Sequence, residues 1–135
     1  MGLSIKNECE KSIYMINLFA VFIGGGLGSL SRFCLAKFFT TYLASSFVYA
    51  TFFSNLLAAI ILGIFMNVVP DKAIFNSTWK LFIVTGFCGG FSTFSTFSFE
   101  TFDLLKNGQI MFAIANIIVS ILSCLLVLYI LYKNQ

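Results

Sequence analysis

Of 135 residues, 59% are hydrophobic and 10% carry charge, against about 25% charged in a soluble domain, so an ordinary soluble fold is excluded and the chain reads as an integral membrane protein. The formal net charge of +3 sits mostly on lysines flanking apolar runs, where they snorkel to headgroups, and gives no case for nucleic acid as a partner. There is no histidine, and Glu8, Glu10, Asp71, Glu100 and Asp103 all read as lying at or outside span ends. Acid–base catalysis, a metal centre and a Ser-His-Asp arrangement therefore lack their reagents, and an enzyme is not expected.

Charge-free runs predict four transmembrane helices, with bodies near residues 13–31, 47–69, 81–99 and 110–132, each close to the roughly 20 residues a bilayer crossing needs. Residues through Lys11 read as a short interfacial or disordered start. The first apolar run is too long for the core of a signal peptide. It carries Gly24, Gly25, Gly26 and Gly28, small residues that let helices approach closely in lipid and favour tight packing, including an oligomer. The second run is thinned on one side by Ala58, Ala59 and Gly63 and closed by Pro70, followed by a polar loop over 71–80. Connections are short, so the chain reads as a single transmembrane domain, 1–135, with both termini on one side of the membrane.

Lys6, Lys11, Lys72, Lys80 and Lys133 fall on the terminal side, against Arg32, Lys37 and Lys106 on the other. This is a weak bias under the positive-inside rule: either the termini face the cytoplasm, as the majority of the lysines suggests, or the chain inserts in both orientations. Trp79, Tyr14, Tyr129 and Tyr132 sit near span ends, as headgroup anchors do. Cys9, Cys34, Cys88 and Cys124 form no Cys-x-x-Cys pair, and the three in or beside spans read as small packing residues.

The third run holds the densest signal. Residues 86–100 place Gly89-Gly90 and the hydroxyls of Ser92, Thr93, Ser95, Thr96 and Ser98 at membrane depth, where polar groups are costly. Phe91, Phe94 and Phe97 recur every three residues, which predicts one stripe of rings. Gly89-Gly90 followed by Ser92-Thr93 predicts a broken helix whose freed carbonyls could hold a sodium ion. The hydroxyls have a structural alternative, bonding back to their own helix carbonyls, and the rings have another in core or lipid contact.

Asn55 in the second run and Asn116, Ser120 and Ser123 in the fourth complete a neutral polar inventory. Transported protons would require a buried carboxylate, and these spans are read as containing none. Amides and hydroxyls donate hydrogen bonds, and inward ring edges carry weak positive potential, so the acceptor this set suits is a small anion.

These residues resemble the Fluc/CrcB family of small fluoride channels over nearly the whole chain. Residues 86–97 are similar to the family's third-helix signature Gly-Phe-Cys-Gly-Gly-x-Thr-Thr-Phe-Ser-Thr-Phe, with Ser92 replacing a threonine. Gly24-Gly25-Gly26-Leu27-Gly28 with Arg32 resembles the first-helix motif, and Thr51 and Asn55 match the second-helix motif, where Ala50 and Ala58 stand in place of glycines.

The resemblance implies an all-α fold of four transmembrane helices with a broken third, assembled as an antiparallel dual-topology dimer in the plasma membrane of a prokaryote. It implies passive fluoride efflux through a pore of Asn55, Phe94, Phe97, Ser95, Thr96, Ser98 and Ser120, with Arg32 and Glu100 at vestibules. It further implies a structural sodium held by the carbonyls of Gly89 and Ser92. The partners are fluoride, the bilayer, and either a second copy or a paralogous subunit. Two other readings stand beside it. One is a proton-coupled exporter of small organic cations, which needs an acid that residues 12–31 do not contain; the other is a non-transporting membrane assembly subunit.

Overall fold

The computed structural model describes residues 2–42, 47–68 and 78–133. Every element among them is helical. Helix α1 is Gly2–Tyr42 and α2 is Phe47–Val68; α3 runs through three contiguous pieces, Thr78–Lys80, Leu81–Cys88 and Gly89–Phe91; α4 is Phe94–Lys106 and α5 is Ile110–Lys133. Four helical stretches are long and apolar enough to cross a membrane, with α3 and α4 together forming the third, Thr78–Lys106. The chain is therefore a multi-pass membrane protein.

Several expectations shift in detail. Residues up to Lys11 continue α1 rather than forming an irregular start, and at 1.5 Å per residue its 41 residues span about 60 Å, twice the hydrocarbon thickness. Arg32 lies within α1, ten residues before its end. Residues 78–80, expected in a loop, already belong to α3, while Pro70 and the rest of that loop lie outside the described residues. The third span runs on past Phe99 to Lys106, which brings Glu100 inside it.

Small residues decide how the helices meet, because lipid offers no hydrophobic drive to bring them together. The most extensive packing is α1 against the π-helical middle of α3, Leu81–Cys88. A Cβ on Gly24 would strike the Phe82 carbonyl, and one on Gly90 would lie 2.5 Å from the Gly25 carbonyl oxygen. On the other side, α2 packs on α5. Gly63 receives the Leu131 side chain, and Asn67 Nδ2 donates to the Leu131 carbonyl at 3.3 Å.

The third span does break, but not at its glycines. Gly89 is helical (φ −65°, ψ −35°), while Ser92 (φ −76°, ψ 154°) and Thr93 (φ −150°, ψ 113°) are extended. Gly90 serves close approach to α1, and the break sits where side chains replace the lost helical bonds. Thr93 N–H donates to Asn55 Oδ1 at 2.8 Å, and Thr93 Oγ1 accepts from Thr96 N–H at 3.3 Å as the cap of α4. Thr93→Val removes that cap and is expected to cost about 1 kcal/mol, read as a melting temperature lower by several degrees. An unchanged melting curve would mean that Asn55 alone holds the break.

The break also splits the predicted ring stripe. Phe91, before it, is buried and pairs with Phe87 at 5.7 Å, whereas Phe94 and Phe97, after it, pair with each other at 6.1 Å. Of the cysteines, Cys88 is buried and Cys124 half-buried, but Cys34 is exposed and packs no core in this chain.

Candidate functional site

The break fixes the orientation of Asn55. A backbone N–H can only donate, so the amide oxygen must face Thr93, and the –NH2 group is left to point elsewhere. Asn55 lines a groove of about 480 Å³ together with Gly89, Ser92, Phe94, Phe97 and Ser120. Among the described residues, no acid or base lines it. Six residues singled out from sequence thus come to one place, drawn from α2, α3, α4 and α5. Phe94 is 81% exposed on the rim, so its ring is open to whatever lies across the groove.

Two further spaces flank the groove. A cleft of about 1130 Å³ carries Thr96, Glu100, Asn116 and Ser120 among its lining, so Ser120 is shared between groove and cleft. A crevice of about 190 Å³ is lined by Arg32, Ser29, Thr51, Thr93 and Thr96, which places the Arg32 cation beside the hydroxyl cluster of the break. Thr93 Oγ1 shares hydrogen bonds with Ser95 Oγ at 3.2 Å and Thr96 Oγ1 at 3.1 Å.

The two readings of the hydroxyl ladder both occur. Ser92 donates to the Cys88 carbonyl and Ser98 to the Phe94 carbonyl, each at 2.8 Å, whereas Thr93, Ser95 and Thr96 bond to one another. Ser95 and Ser98 are exposed and line none of the three spaces.

Glu100 departs most from expectation. Its sequence position puts it at or outside the end of the third span, yet it is 7% exposed within it. Its Oε1 accepts from Thr51 Oγ1 at 2.6 Å, and its Oε2 is buried with no hydrogen-bond partner among the described residues. The reading that the spans contain no carboxylate is corrected accordingly: the helix passes Phe99 without a stop signal and carries the acid inward. Thr51 and Asn116 are partners that sequence reasoning noticed but left outside the site. The signal for each is spacing, since Thr51 lies four residues before Asn55 and Asn116 four before Ser120, which puts each pair on one helix face.

The break also tests the residues proposed for sodium. In a continuous helix the Thr93 N–H would return to the Gly89 carbonyl; its donation to Asn55 instead frees that oxygen. Ser92 beside it is extended. Neutral carbonyl oxygens of this kind suit a hard monovalent cation, so Gly89 and Ser92 fit the ion.

A family model described as "CrcB-like protein, Camphor Resistance (CrcB)" matches residues 19–131. The chain is 44% identical over 100 residues to the "Fluoride-specific ion channel FluC" of Pyrococcus horikoshii, covering 74% of this chain and 80% of that protein. It is 43% identical over 101 residues to the protein of the same name from Citrifermentans bemidjiense, covering 75% and 82%. To that from Leptospira interrogans serovar copenhageni it is 36% identical over 105 residues, covering 78% and 83%.

Proposed function

The chain belongs to the CrcB family, and from that premise we propose that it is a fluoride-selective channel that lets fluoride leave the cytoplasm passively, and is not an enzyme. The observation that carries this reading is the Asn55 amide. Its oxygen is committed to Thr93 N–H, so its nitrogen, with no partner among the described residues, is the donor Asn55 can offer to a groove shared with the Phe94–Phe97 ring pair and Ser120 and lined by no fixed charge among the described residues.

Fluoride is small and tightly hydrated, so a passage must replace its water shell with closely spaced donors while excluding larger halides by width. A fixed cation inside would bind too tightly for conduction. Amide and hydroxyl hydrogens and ring edges supply partial positive charge without that trap. Arg32, in the crevice beside Thr96, raises the local anion concentration outside the groove.

The working unit is an antiparallel homodimer in a prokaryotic plasma membrane, or a pair with a paralogous subunit. The weak lysine bias and the open rim at Phe94 support it. The carbonyls of Gly89 and Ser92 would hold a sodium ion, whose charge supplies a fixed structural clamp at the break.

The test removes ring edges while keeping bulk. Phe94→Ile and Phe97→Ile are each expected to lower fluoride current in planar bilayers about tenfold, the equivalent of ~1.4 kcal/mol of ring-edge stabilisation, with unchanged gel-filtration behaviour. Wild-type currents in both variants would remove the rings from the path.

A further inference from the structure

Ser120 is where the phenylalanine groove and the Glu100 cleft meet, and the direction of its proton is dictated from three links away. The Thr101 hydroxyl donates to the Phe97 carbonyl at 2.8 Å. A carbonyl cannot donate, so Thr101 Oγ1 has only a lone pair to offer its other neighbour. Asn116 accordingly turns its amide nitrogen to Thr101, donating at 3.0 Å. That orientation leaves Asn116 Oδ1 on the side of Ser120, whose hydroxyl donates to it at 3.3 Å. Each link forces the next, so the single Ser120 proton is held by Asn116 and only lone pairs remain for the spaces on either side.

We propose that Asn116 is a positioning residue that keeps Ser120 in an acceptor state, so that Ser120 donates to a passing anion only by giving up its bond to Asn116. This rests on the channel reading above. The competition makes Ser120 a weak, quickly released stop, as conduction requires of every site along a path. Asn116 thus acts on fluoride through the rotation of another residue's hydroxyl.

The test compares fluoride flux over a range of fluoride concentrations for the reconstituted wild type, Asn116→Leu, Thr101→Val, and each combined with Ser120→Ala. Asn116→Leu keeps most of the volume and removes the competing acceptor. The half-saturating fluoride concentration is expected to fall about fivefold, the size of one net hydrogen bond. Thr101→Val releases the amide to flip and is expected to shift half-saturation in the same direction. Both shifts are expected to vanish in the Ser120→Ala background, which a merely structural role for Asn116 does not predict.

Unchanged half-saturation in Asn116→Leu and Thr101→Val, or equal shifts with and without Ser120, would overturn the relay. Should Asn116→Leu fail to assemble, Thr101→Val decides alone. A conducting wild type with no shift in the variants refutes only the role of Asn116, whereas a wild type that carries no fluoride refutes the channel reading. The relay itself is read without flux from the Asn116 side-chain amide resonances. These are expected to move in Ser120→Ala, and unmoved resonances would overturn it.

Discussion

Asn55→Asp is expected to lower fluoride flux by about a hundredfold or more while leaving the fold in place. Aspartate keeps the oxygen that accepts the Thr93 N–H at 2.8 Å, so the partner that holds the third-span break survives the exchange. What changes is the other half of the side chain. The –NH2, without a partner among the described residues and carried by a side chain that lines the groove with Phe94, Phe97 and Ser120, becomes a carboxylate oxygen bearing negative charge. Two like charges about 4 Å apart at an effective dielectric constant of 20 repel by about 4 kcal/mol, which corresponds to between a hundredfold and a thousandfold in rate. Fluoride-electrode traces at matched protein density check it, with gel filtration as the assembly control. Flux within a factor of a few of wild type would take Asn55 off the path.

Gly28→Leu is expected to abolish assembled protein altogether. A Cβ at this position would collide with the Phe87 carbonyl and lie 2.8 Å from the Phe91 nitrogen. Both are backbone atoms of α3, so no rotamer change relieves the clash. α1 and α3 would have to separate along their whole contact, losing the close approach of Gly24 to Gly86 and of Gly25 to Gly90. Overpacking costs about 1–3 kcal/mol where side chains can yield, and more where they cannot. The measurement is the monodisperse gel-filtration peak in detergent, expected to disappear. Gly26→Leu is the internal comparison, because nothing lies within 4 Å of a Cβ there. It is expected to fold, and a wild-type peak for Gly28→Leu would show that the α1–α3 contact is not what holds the bundle.

The spans, the broken third helix and the Asn55–Phe94–Phe97 constellation were legible because each rests on a local signal: apolar length, membrane-depth polarity, or a motif of fixed spacing. The exact point of the break was not. Gly89 and Gly90 have the lower helix propensity, yet both stay helical, with Gly90 used for approach to α1, and the tertiary bond from Asn55 sets the break at Ser92 and Thr93. The same displacement took Phe91 out of the ring stripe, since period-three reasoning assumes one continuous helix. Glu100 was misplaced because a carboxylate reads as a boundary, whereas Thr51, forty-nine residues earlier, meets it inside the span. The Ser120–Asn116–Thr101 relay escaped for a different reason. Its middle bond crosses from α5 to α4 while the Ser120–Asn116 bond stays within α5, and the direction of each proton follows only once all three links are known together.

The most direct measurement is fluoride release from liposomes bearing the assembled protein, together with a paralogous subunit if one is required, followed with a fluoride electrode under a potassium gradient set by valinomycin. The account predicts rapid release of trapped fluoride, retention of chloride under the same gradient, and a rate that collapses in Asn55→Asp. Release no faster than from protein-free vesicles, or chloride leaving as fast as fluoride, would contradict it.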